Sequence, residues 1–152
     1  MLSLLIDFKL LVRLPQKGEK EVYMFTIEII TNVEGIKIIN ITPHELNIKG
    51  RMTGEKIIVP ISGVLINAKV EEKLVKQTGD IQFVLSAFIA DEEIKNDLLK
   101  FLSFKPEVII VGSIIAAQAY LGLVYGLCLA PGFERVAPQD KLMSTVKFTT
   151  FE

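Results

Sequence analysis

One histidine, His44, stands between Pro43 and Glu45, and this pair is the sequence's nearest approach to acid–base chemistry. An imidazole titrates near neutral pH, and a neighbouring carboxylate can orient it as a general base. A histidine and a glutamate beside a proline also read as ordinary turn surface, and that is the preferred reading. Gly112 and Ser113 are the second candidate. They fall where an apolar run passes into an Ala-rich segment, and free amides at a helix start can hold an anion. The plainer reading makes Ser113 a helix N-cap. The third candidate is the basic set Lys49, Arg51 and Lys56 around Thr53-Gly54, which could contact phosphates. Glu55 lies among them and no aromatic is interleaved for base stacking, so a solubilised strand edge is preferred.

Other chemistry lacks an anchor. There is no Gly-x-Ser-x-Gly elbow, no Gly-x-x-x-x-Gly-Lys loop and no Gly-x-Gly-x-x-Gly turn. One histidine and one cysteine, Cys128, do not make the four-ligand Cys/His set of a structural zinc site, and no metal or cofactor is expected. A lone cysteine forms no internal disulfide, and its apolar neighbourhood marks Cys128 as a small buried hydrophobe.

These residues must be held by a fold, and its outlines are legible. The 152 residues are the size of one domain, 1–152, able to bury a core without staples. Seventeen basic residues face eighteen acidic ones, so no strong field draws the chain to nucleic acid or an anionic membrane. Half the residues are hydrophobic, weighted to Ile and Val, and Lys and Glu carry most of the charge. That bias is shared with thermophilic proteins. Asp7, Lys9 and Arg13 interrupt the apolar start, which therefore lacks the pattern of a signal peptide; a soluble, cytoplasmic protein is expected.

Leu2, Leu4, Ile6, Phe8, Leu10, Val12 and Leu14 alternate with Ser3, Leu5, Asp7, Lys9, Leu11 and Arg13, the period of a half-buried strand. Its length, and the leucines at 5 and 11 on its polar face, suggest contact with a partner subunit. A polar turn at 15–20 leads into a second alternating run through Tyr23, Phe25, Ile27, Ile29 and Val33, predicting a long first hairpin. A third strand follows over 36–41, and a further hairpin over 45–52 and 56–66. Segment 69–77 reads as a short helix burying Val70, Leu74 and Val75, with a continued ribbon as the alternative. Segment 81–89 alternates as a strand. Asp91 followed by Glu92 and Glu93 opens a helix to Phe104, with Ile94, Leu98, Phe101 and Leu102 as its core stripe.

No charge lies between Glu107 and Glu134, and the stretch from Val108 to Phe133 is long enough to cross a bilayer. Gly122-x-x-x-Gly126 has the spacing of close helix approach in lipid. The stretch nevertheless divides into a β-branched half, Val108 to Val111, and an Ala/Gly-rich half. A buried strand followed by a tightly packed helix from Ser113 to Leu129 is therefore preferred to membrane insertion, with a strand as the alternative for the second half. The predicted architecture is α+β: an N-terminal antiparallel sheet of about five strands, then alternating helices and strands packed on it. The function it favours is a small non-catalytic binding or assembly protein forming a homo-oligomer. The alternatives are a ligand binder or enzyme using His44/Glu45 or the Ser113 helix start, and a weak nucleic-acid binder using Lys49, Arg51 and Lys56.

Overall fold

The computed structural model describes the backbone of Leu10–Gln16, Glu19–Phe25 and residues 30–152, and the side chains of 30–152. The first part of the long N-terminal run, 1–9, lies outside the described residues, as do Ile27 and Ile29. Its remainder is β1 (Leu10–Gln16), which pairs antiparallel with β2 (Glu19–Phe25) in the expected hairpin. The strands β3 (Thr31–Val33) and β4 (Ile36–Asn40) form a second hairpin. A third comprises β5 (Leu46–Lys49) and β6 (Lys56–Val59), ended by Pro60. Next come β7 (Lys69–Thr78), β8 (Ile81–Ile89), α1 (Glu92–Phe104), β9 (Val108–Val111), α2 (Ile114–Ala119), β10 (Gly126–Leu129) and β11 (Met143–Thr149).

The fold is α+β, and its N-terminal strands are shared among several sheets instead of forming one. One sheet has the order β3-β4-β9 and another β10-β11-β5-β6, with β4–β9 and β11–β5 parallel. The two are joined where Tyr125 N donates to Ile110 O and Gly112 N to Tyr125 O, both at 2.9 Å. Strands β4 and β9 are buried on both faces, which is why Val108 to Val111 reads as an unbroken β-branched run. Alternation then sorts their side chains. Ile39, Val108 and Ile110 face a core closed by Ile94, Leu98 and Phe101 of α1 and by Tyr120 and Val124. Ile38 and Val111 face the opposite way, onto Ile48 and Val59 of the other sheet.

Helix α1 follows its sequence closely. Asp91 Oδ1 accepts from Glu93 N and Ile94 N at 2.9 and 3.1 Å, the N-cap that its position predicts.

Two segments differ from expectation. Segment 69–77 is not a helix: β7 is a ten-residue strand paired with β8. The helix expected from Ser113 to Leu129 ends at Ala119. The chain turns through Gly122, whose φ is +73°, and returns as β10. Gly126, and Gly112 just before the segment, serve close approach, while Gly122 serves the turn. A Cβ on Gly112 would lie 2.7 Å from Val124 Cγ1, and one on Gly126 2.6 Å from Ile114 Cδ1 and 2.7 Å from Thr149 Cγ2. Among the described residues no helix is long and apolar enough to cross a membrane.

Candidate functional site

His44 is exposed in the turn after β4, and its backbone is the part held in place. The holder is Asn40, a fully buried polar residue that the sequence reading passed over. Asn40 Nδ2 lies 2.7 Å from His44 O, 3.3 Å from Pro60 O and 3.5 Å from Val59 O. Its Oδ1 accepts from Thr42 N at 2.9 Å and from Thr42 Oγ1 at 2.6 Å. One amide thus ties the end of β4 to the end of β6. The signal for it was an uncharged polar residue flanked by Ile38, Ile39 and Ile41. Glu45 is exposed beside His44.

At the second candidate, Gly112 N is committed to Tyr125 O, and Ser113 Oγ accepts from Ala116 N at 3.1 Å. Ser113 is the N-cap of a six-residue helix.

The third candidate is partly assembled. Lys49 and Lys56 are directly opposite on β5 and β6. The chain between them turns tightly, with Gly54 N donating to Gly50 O at 2.8 Å. Lys49 and Arg51 line a shallow concavity of about 480 Å³, together with Thr53, Pro131, Ser144 and Val146. Lys49 Nζ sits 5.6 Å from the centre of the Phe133 ring, a cation–π arrangement that occupies this ammonium. Glu34 enters the same turn and its Oε2 accepts from Met52 N at 2.9 Å, which offsets the basic character.

Among the described residues no three His, Cys, Asp or Glu side chains are grouped to hold a metal ion. Cys128 is a free thiol, half-buried on β10. A second, more apolar concavity of about 480 Å³ is lined by Leu102, Pro106, Ile109, Leu123, Tyr125 and Phe148.

The largest anomaly lies elsewhere. The strands β7 and β8 form a two-stranded ribbon that belongs to neither larger sheet. Ten residues at about 3.3 Å each give it a length of roughly 30 Å. Its tip is a two-residue turn, Gly79-Asp80, with Gly79 at φ +60°, where glycine carries no Cβ penalty. Every residue of β7 is exposed, as are all of β8 except Phe88. Val75, Ile81, Phe83 and Leu85 are 67, 62, 51 and 63% exposed. The alternation on β8 was legible in the sequence, but alternation normally signals a covered face, and here both faces meet solvent.

The ribbon is nonetheless firmly rooted. Tyr120 is fully buried, and its hydroxyl accepts from Asp91 N and donates to Asn67 O, both at 3.1 Å. Asn67 lies two residues before β7 and Asp91 two after β8, so one phenol clasps both feet. Burial pushes the Tyr120 hydroxyl above its ordinary pKa, because a phenolate in this core would lose its hydration. A raised folded-state pKa contributes stability that is present below the unfolded value, about 10, and lost as pH rises through the folded one. Thermal melts should therefore show an alkaline loss of stability beginning near pH 10, and Tyr120→Phe should lack that component.

The site is thus an anchored apolar ribbon on an α+β body. Compared with family models, curated proteins and solved structures, the chain matches none.

Proposed function

We propose that this chain is a non-catalytic assembly protein that associates with itself through the β7–β8 ribbon. The observation that carries the reading is a two-stranded ribbon with bulky apolar side chains exposed on both faces. Such ribbons are marginal in water unless something packs on them. Its eight exposed large apolar residues, divided between the two faces, present on the order of 700 Å² in all, the scale of one partner's share of a standard interface.

Charge favours a second copy as the occupant. Between 69 and 89 the ribbon carries Lys69, Lys73 and Lys76 against Glu71, Glu72 and Asp80, so it is neutral. A neutral ribbon of mixed sign is compatible with itself and has no pull on a polyanion. The near-neutral whole chain supports the same choice.

Sedimentation at micromolar concentration tests this directly. The wild-type chain is expected to sediment as an oligomer. Phe83→Asp should shift it to monomer while keeping the circular dichroism spectrum of the folded chain, because Phe83 is outside the core clusters, with Tm falling only by the stabilisation that association supplies. A strictly monomeric wild type across this range would overturn the reading.

A further inference from the structure

Resting on that self-association, we infer that two copies pair through the outer edge of β8, giving an antiparallel four-stranded sheet of order β7-β8-β8-β7. Both outer edges of the ribbon lack a strand partner among the described residues, but they are not equivalent. Proteins protect bare edges with charges, prolines and bulges. The β7 edge has such protection: it carries Lys69, Glu71, Glu72, Lys73 and Lys76, and its pairing register shifts between Leu74 and Lys76. The β8 edge has none. Ile81–Ile89 contains no charge, no proline and no glycine, and its pairing within the ribbon is otherwise regular.

The side chains also select a register. Ile81, Phe83, Leu85, Ala87 and Ile89 share one face of β8, and opposite them on β7 stand Thr78, Lys76, Lys73, Glu71 and Lys69. The apolar stripe therefore runs along the bare edge and the polar stripe along the guarded one. A two-fold axis through Leu85 sets Leu85 against its counterpart. It sets Phe83 against the partner's Ala87, large against small, and Ile81 against the partner's Ile89. The two apolar stripes then merge at the centre of the sheet, and the charged β7 strands lie outermost in water. A β7–β7 pairing would instead bring the lysines together and leave both apolar stripes at the rim, and centring the axis on Leu85 pairs the full length of β8 where a shifted register would leave an end uncovered.

Cysteine cross-linking in a Cys128→Ala background tests the register. Directly opposed residues in an antiparallel sheet have Cβ atoms roughly 5 Å apart, so Leu85→Cys should give a covalent dimer with a short bismaleimide. The ribbon tips point in opposite directions, about 34 Å apart, so Asp80→Cys should give none. Leu85→Lys should raise the dimer Kd at least about 100-fold, since it sets two ammonium groups at the axis. Glu72→Lys, on the guarded strand, should leave Kd within about threefold. A dimer that cross-links through position 80, or fails to cross-link through 85, overturns this pairing and leaves self-association standing. A monomeric wild type removes both.

Discussion

Asn40→Asp is expected to destabilise the folded chain by roughly 3–5 kcal/mol, the cost of leaving a buried charge without its partner. The substitution changes one atom in shape and reverses its role. Nδ2 of Asn40 lies 2.7 Å from His44 O and 3.3 Å from Pro60 O, both of which accept hydrogen bonds. A carboxylate oxygen there would face two carbonyl oxygens inside the core. The Oδ1 side, with Thr42 N and Thr42 Oγ1, tolerates the change, so the penalty arises at the lost donor. Protonation would restore one donor. The introduced carboxyl thus has a raised folded-state pKa, and the deficit should be smallest below about pH 4 and largest at neutral pH. Thermal melts across that range measure it, with a fall in Tm of roughly 10 °C expected at pH 7. A deficit that does not change with pH would show that the amide is not donating as described.

Tyr120→Phe is expected to cost about 2–3 kcal/mol and to weaken association of the chain with itself. The phenylalanine ring fills the same space in the helix-side core, so no cavity contributes. What is lost is the pair of hydrogen bonds to Asp91 N and Asn67 O, leaving two backbone groups in a part-buried site without their partner. Asp91 also caps α1, so loosening its backbone reaches the helix start. The feet of the ribbon then separate more easily, and its strands are no longer held ready for a partner. Hydrogen exchange should report faster exchange at the Asp91 amide and along β7 and β8, with the β4 and β9 amides affected only through global stability. Sedimentation of the same variant should show a weaker dimer. Equal protection across all strands would mean that the clasp acts on the whole fold and not on the ribbon.

The parts of the fold legible in the sequence were those with a one-sided environment. Asp91 and the stripe Ile94, Leu98 and Phe101 specify α1 because that helix has one buried face and a capped start. Val108 to Val111 reads as a buried strand because both of its neighbours are apolar layers. Segment 69–77 failed for the converse reason. Val70, Leu74 and Val75 suit a helical stripe, and that pattern is informative only if the body covers one face; on β7 it covers neither. The Ala/Gly-rich segment failed because helix and strand tolerate small residues alike. Only tertiary contacts reveal that Gly112 lies under Val124 and Gly126 against Ile114 and Thr149.

The candidate site was legible in the same partial way. In the sequence, self-association was favoured by residues 2–14, whose first part lies outside the described residues. That reading gave no weight to β8, although its alternation was plain, because exposure is a property of what the rest of the chain leaves uncovered. Tyr120 carried no signal at all, since its partners are backbone groups 29 and 53 residues away.

The displaced register at Val75 has a consequence for stoichiometry. A ribbon with two open edges is a bifunctional monomer, and bifunctional monomers polymerise into fibres of unlimited length. An irregular, charged β7 turns each copy into a monofunctional unit, which can only terminate a partner. Under the proposed pairing, association through β8 closes at two copies, and the register shift at the exposed Val75 works against growth from the other edge.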